Sequence, residues 1–235
     1  MDVYGIPFEV IPVKKVSKTK PPTPPKLSTL VQALREREGL KIAFPRVEGF
    51  IFDVRHRVKA DIGKIPKLWV NPSREPTLLP IIERFRPVGS TGEVLFRTVR
   101  PCHGTTKSHV SHVAEHSKWE HTVAYHLERS PRAVSYVKND HLDFVIPYEH
   151  YGVRLNYLPD YLVRLRRNHG CELNLILEVK GFETEQDRAK DVAAQRWVRA
   201  VNHHGGFGFW AIAVCRDPHE LGRIIEQSIS ESLTT

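Results

Sequence analysis

Residues 157–180, YLPDYLVRLRRNHGCELNLILEVK, decide the architecture of this chain. The run LNLILEV (173–179) is so apolar that it reads as a central strand, with YLVRL (161–165) a second strand before it. Alternate side chains of a strand share a face, so Glu178 and Lys180 project together while Val179 points to the core. The turn Tyr157-Leu158-Pro159-Asp160 opens the first strand. If the two strands are neighbours, Asp160 lies beside Glu178. Two carboxylates so placed form a hard oxygen site suited to Mg²⁺. Such an ion, with Lys180 close by, suits phosphodiester hydrolysis: the cation polarises the phosphoryl group and the lysine meets the charge that grows on it.

Working outward, QDRAKDVAAQRWVRAV (186–201) carries Ala189, Val192, Ala193, Trp197, Ala200 and Val201 at helical spacing, one apolar face. FGFWAIAVC (207–215) reads as a further strand, and a terminal helix follows. His203, His204, Gly205 and Gly206 read as the C-terminal cap of the preceding helix. Upstream, Ser117-Lys118-Trp119-Glu120 has the form of a capping box opening a helix to about Glu128, and LDFVIP (142–147) is strand-like. The expected order is helix, three strands, helix, strand, helix: a mixed α/β domain over residues 105–235. Glu120 has two readings, a metal ligand or simply the capping residue bonded back to Ser117. Trp197 and Trp210 are expected in the core.

Residues 27–104 read as a β-rich, basic accessory region, with LSTLVQALRERE (27–38) as one amphipathic helix. Residues 1–26 read as a short strand, VYGIPFEVIPV, and a proline-rich tether. Residues 1–100 hold 19 basic against 10 acidic residues, whereas residues 101–235 hold 16 against 17. Clustered lysine and arginine favour phosphate through counterion release, and a solvated basic surface is the plain alternative. Arg164, Arg166, Arg188 and Lys190 flank the carboxylates and are the candidate contacts to a nucleic-acid backbone.

With 40% hydrophobic and 26% charged residues, the composition is that of a folded globular chain. No apolar run is long enough to span a bilayer, and the N-terminus lacks the features of a signal peptide. Three widely spaced cysteines, Cys102, Cys171 and Cys215, argue against a disulfide framework and fit a cytoplasmic setting. His103, His109, His112, His116 and His121 crowd one stretch beside Cys102, but their spacing matches no usual zinc pattern, and they are read as structural.

The combination Pro159-Asp160 with Glu178-Val179-Lys180-Gly181 resembles the PD-(D/E)xK nuclease core. More closely, the chain resembles the C-terminal endonuclease region of type III restriction enzyme restriction (Res) subunits. The likeness extends through TTKSHVSHV (105–113), the Trp119-Glu120 helix start, AVSYVKNDHLDFVIPYE (133–149), VYGIPFEVIP and FPRVEGF. It implies a restriction-endonuclease-like α/β fold, with Asp160 and Glu178 as Mg²⁺ ligands and Lys180 as the catalytic lysine. It also implies double-stranded DNA as substrate, with a helicase-bearing Res portion and a modification methyltransferase subunit as partners. The sequence looks like the C-terminal third of such a subunit. It carries no G-x-x-x-x-G-K-[ST] phosphate loop, so no ATP site is assigned to it. Two alternatives stand beside the nuclease: a non-catalytic DNA-binding or assembly module that docks a helicase partner, and a nuclease of the same fold acting in repair or on RNA.

Overall fold

The computed structural model describes residues 27–52 and 77–232. The expected strand and tether at 1–26 and residues 53–76 of the accessory region lie outside the described residues. Six short strands open the described chain: β1 (Thr29–Gln32), β2 (Ala43–Pro45), β3 (Val47–Phe52), β4 (Leu78–Ile82), β5 (Val88–Ser90) and β6 (Leu95–Thr98). They pair antiparallel as β1 with β6, β2 with β5 and β3 with β4. A fourth antiparallel ladder joins β7 (Cys102–Gly104) to β8 (His112–Ala114). Then follow α1 (Lys118–Arg129), β9 (Ala133–Lys138), β10 (Ile146–His150), β11 (Val153–Tyr157), β12 (Tyr161–Arg166), β13 (Glu172–Val179), α2 (Glu185–His204), β14 (Phe209–Cys215) and α3 (Leu221–Glu231).

The central sheet has the order β14-β13-β12-β9. Strands β9, β12 and β13 form an antiparallel meander, and β14 returns parallel to β13 after the helical crossover α2. The architecture is mixed α/β. Tyr161, Val163, Leu165, Leu173, Leu175 and Leu177 point to one side and pack with Val123, Ala124 and Leu127 of α1 and Leu221, Ile225 and Ile229 of α3. Leu162, Ile176 and Trp210 point to the other side, against Ala193, Ala194, Trp197 and Val201 of α2. Burial on both faces is what made LNLILEV read as a central strand. Around α2, Phe144, Trp197 and Trp210 form an aromatic triangle, with Trp197 edge-on to both partners at 5.4 and 5.0 Å between ring centres. Asn202 clamps the end of α2 to β14 by accepting from the amide of Trp210 and donating to its carbonyl, both at 2.8 Å. Val31, Ile42, Phe44, Val47 and Val94 belong to this same cluster, so one continuous core crosses the 104/105 boundary.

Three sequence expectations are corrected. The helix over 27–38 does not form: β1 and a 3-10 turn over Arg35–Leu40 take its place. Val31 is buried, β1 gains a partner in β6, and Arg37 donates to the carbonyls of Thr105 (2.6 Å) and Ser108 (3.3 Å). These long-range contacts outweigh the marginal stability of a single short helix. The sheet's first strand is β9, not LDFVIP. Positive φ angles of 58° at His141 and Asp143 break the extended path there, and only Ile146 and Pro147 of that run enter β10. Val192, expected on the apolar face of α2, is 63% exposed.

Strands β10 and β11 form a hairpin closed by Tyr151 (φ 49°) and Gly152 (φ 74°), the two left-handed positions that a type I′ turn requires. The hairpin exit carries the chain through Tyr157 to Asp160. α2 ends where the glycines predicted, with Gly205 in the left-handed cap position at φ 74°. Among the described residues, no helix is long and apolar enough to cross a membrane.

Candidate active site

The register of β12 and β13 pairs Tyr161 with Leu177, which sets Asp160 opposite Glu178 at one end of the two central strands. Both lie on the α2 side, since each is one residue out of phase with the side chains that pack under α1 and α3. Asp160 is fixed at both ends: its Oδ2 accepts from the amide of Val179 at 2.7 Å, and its carbonyl accepts from the amide of Asn139 at 2.8 Å. Glu178 Oε2 accepts from the hydroxyl of Tyr157 at 2.8 Å. Lys180, whose amide continues the ladder to the carbonyl of Cys215, directs its Nζ to Asp191 Oδ1 on α2 at 3.2 Å.

Glu120, on the first turn of α1, has its carboxylate turned to two donors. Its Oε2 accepts from Lys138 Nζ at 2.5 Å and from the amide of His116 at 3.2 Å. Ser117 caps the helix as the sequence predicts, by accepting from the amide of Glu120 at 3.2 Å. The reciprocal bond goes to His116, one residue before the expected Ser117. Lys138 ends β9 beside Tyr161 and also donates to the carbonyl of Ala114 at 2.9 Å. Gly181, next to Lys180, lies under the Trp119 ring: a Cβ there would meet the ring at 3.3 Å. That close approach ties the Glu-Val-Lys-Gly turn to the Trp119-Glu120 helix start.

Burial raises the pKa of both central carboxylates. It lifts Glu178 first, the charge of Asp160 adds to it, and together they bring the group to about 7 against partial relief from Tyr157 and two lysines. Asp160 is also raised, chiefly by burial and then by Glu120, while the Val179 amide opposes. Two acids that resist ionising side by side form a donor set that a hard divalent cation satisfies.

A pH dependence follows for the metal-free chain. The folded pKa of Glu178 is about 7, above the 4.5 of an ordinary glutamate, so the folded state holds the proton more tightly. This contribution to stability is full below pH ~4.5 and is lost as pH rises toward ~7, an expected fall of about 2–3 kcal/mol. Thermal unfolding in chelator between pH 4.5 and 8 should show this descent in wild type. It should be largely absent in Glu178→Gln; an equal descent in both would assign it to other groups.

Of the four candidate nucleic-acid contacts, one lies near the carboxylates. Lys190 sits 5.8 Å over the Tyr157 ring, pairs with Asp187 at 3.2 Å and lowers the pKa of both Asp160 and Glu178. Arg188 is exposed on the same helix and pairs with Glu183 at 3.4 Å. Arg164 instead spends its guanidinium on the carbonyls of Lys41 and Gly39, tying the sheet to the 3-10 turn, and pairs with Glu172 at 3.6 Å. Arg166 ends β12, six residues or roughly 20 Å along the strand from Asp160.

Sequence reasoning passed over Lys138 and Asp191 as partners of Glu120 and Lys180. Neither has a local signal, because each meets its partner only through the sheet register and the packing of α2. It likewise passed over Glu115, which accepts from both His103 Nδ1 (3.0 Å) and His121 Nδ1 (2.6 Å) through Oε1. Two of the five clustered histidines therefore converge on a carboxylate. No protein-family model, curated protein or solved structure matches this chain.

Proposed function

We propose that the chain is a Mg²⁺-dependent DNA endonuclease built on a PD-(D/E)xK core, of the kind found in the C-terminal region of type III restriction Res subunits, without a helicase motor of its own. The observation that carries this reading is the pairing of Asp160 with Glu178 across adjacent strand ends, with Lys180 on the same face two residues on. The antiparallel meander, helical crossover and parallel return strand support it, since that sheet holds both acids at the ends of its two central strands.

Asp160 and Glu178, with Glu120 behind them, would hold the cation, which when bound supplies electrophilic polarisation of the scissile phosphodiester. Every other role belongs to side chains already in position. Lys180, held by Asp191, offers its ammonium to the non-bridging oxygens as negative charge grows there. Tyr157 fixes the rotamer of Glu178, and burial keeps the Tyr157 hydroxyl protonated and donating. Lys190, beside the carboxylates, and Arg188, exposed on the same helix, would hold the DNA backbone, supplying register and no sequence information. Double-stranded DNA is the substrate, and a helicase-bearing Res portion and a methyltransferase subunit are the partners that would supply translocation and site recognition.

The test is plasmid nicking. Supercoiled DNA with purified chain and Mg²⁺ should relax to open circles, and chelator should stop the reaction. If the chain alone is silent, the assay is repeated with a helicase-bearing partner chain and ATP. No cleavage in either format would overturn the reading.

A further inference from the structure

We infer that His103, Glu115 and His121 form a second metal site, for one divalent transition ion of the Zn²⁺ class, separate from the carboxylate pair. The three side chains come from three elements. His103 is the middle residue of β7, Glu115 follows directly on β8, and His121 lies in the first turns of α1. The β7–β8 ladder pairs His103 with Val113, and the amide of Glu115 extends it by donating to the carbonyl of Pro101 at 3.0 Å. Residues 113 and 115 therefore share a face, and Glu115 is delivered diagonally across from His103. The amide of His121 donates to the carbonyl of Ser117 at 3.2 Å, which fixes the third side chain at the start of its helix.

The donor atoms already stand close to coordination geometry. His103 Nδ1 and His121 Nδ1 lie 3.0 and 2.6 Å from the same Glu115 oxygen, and all three donor atoms lie within 4.8 Å of one another. A tetrahedral ion with bonds near 2.1 Å sets its ligands about 3.4 Å apart. Opening the two histidine–carboxylate contacts by about 0.4 and 0.8 Å therefore converts the hydrogen-bonded triad into a ligand triad. Two imidazoles and one carboxylate match ions of intermediate softness, whereas Mg²⁺ prefers an all-oxygen set. His121 is about half exposed, which gives an ion a way in and leaves the fourth vertex to solvent. The bound ion would clip the β7–β8 hairpin to α1, the helix that carries Glu120 beside His121.

The experiment uses the full chain, stripped with chelator and titrated with Zn²⁺ by calorimetry, then with Co²⁺ by visible absorption. One Zn²⁺ per chain and the bands of a four-coordinate Co²⁺ centre are expected in wild type. His103→Ala and His121→Ala should each weaken binding about tenfold or more, while His126→Ala, on the same helix, and Asp160→Asn should leave it unchanged. Should either triad variant fail to fold, wild type alone gives the answer. Zn²⁺ should protect His103 and His121, and not His126, from acylation mapped by mass spectrometry. No Zn²⁺ bound, binding indifferent to both triad variants, or acylation of His103 and His121 at an unchanged rate would each overturn the site. None of these readouts needs nuclease activity, so this site and the proposed function stand or fall separately.

Discussion

Replacing Asp160 with asparagine is expected to reduce Mg²⁺-dependent nicking by about 10²–10³-fold or more while leaving the fold intact. Asparagine keeps an oxygen to accept the Val179 amide, the bond that fixes this side chain at 2.7 Å. What is lost is the negative charge facing Glu178, and with it one of the carboxylates that would hold the cation. Groups that stabilise charge in a transition state are worth this much when removed singly. Lys180→Met should fall into the same range, since it takes away the ammonium without disturbing the ladder bond from its amide to Cys215. The readout is the initial rate of open-circle formation, with circular dichroism to establish that each variant is folded. Rates within a few-fold of wild type in both variants would remove the nuclease assignment from this site.

Lys138→Met is expected to be strongly destabilising. Lys138 and Glu120 are a buried pair, with side chains only 7% and 13% exposed, and they meet at 2.5 Å. Removing one partner leaves the other charge stranded away from water, a cost of about 3–5 kcal/mol. For a chain of this size that is roughly a 10 °C fall in Tm. The double variant Lys138→Met with Glu120→Leu should recover much of the loss, because an apolar pair of similar volume has no stranded charge. Thermal denaturation of the two variants decides the matter: a single-variant loss under ~1 kcal/mol, or a double variant no better than the single, would mean that the pair is solvated rather than buried.

The parts of this fold that could be read in advance are those written locally. β13 announced itself by an apolar run, α2 by its Ala193, Trp197, Ala200 and Val201 face, and the Asp160–Glu178 apposition by strand periodicity once the two strands were taken as neighbours. What could not be read depends on partners distant in the chain. AVSYVK became the sheet's edge strand, and LDFVIP did not, because two left-handed residues turn the latter into an arm that buries Phe144 against Trp197 and Trp210. The segment Thr29–Gln32 was drawn into a ladder by Leu95–Thr98, more than sixty residues away. The same holds for the charges: Lys138 and Asp191 look like surface residues in the sequence, and only the packing of β9 and α2 reveals them as the counter-ions of Glu120 and Lys180.

The core shared across the 104/105 boundary sets a limit on what evolution or an engineer can transplant. The acids and the lysine occupy barely twenty residues, yet the helix packed over them rests on Phe144 and Trp210 in a cluster completed by Val31, Phe44 and Val94. A gene fragment beginning at residue 105 would encode every reactive group and still leave that apolar surface bare, an invitation to aggregate. The segment that can be inherited as a working unit is thus longer than the segment that does the chemistry, and it takes in β1.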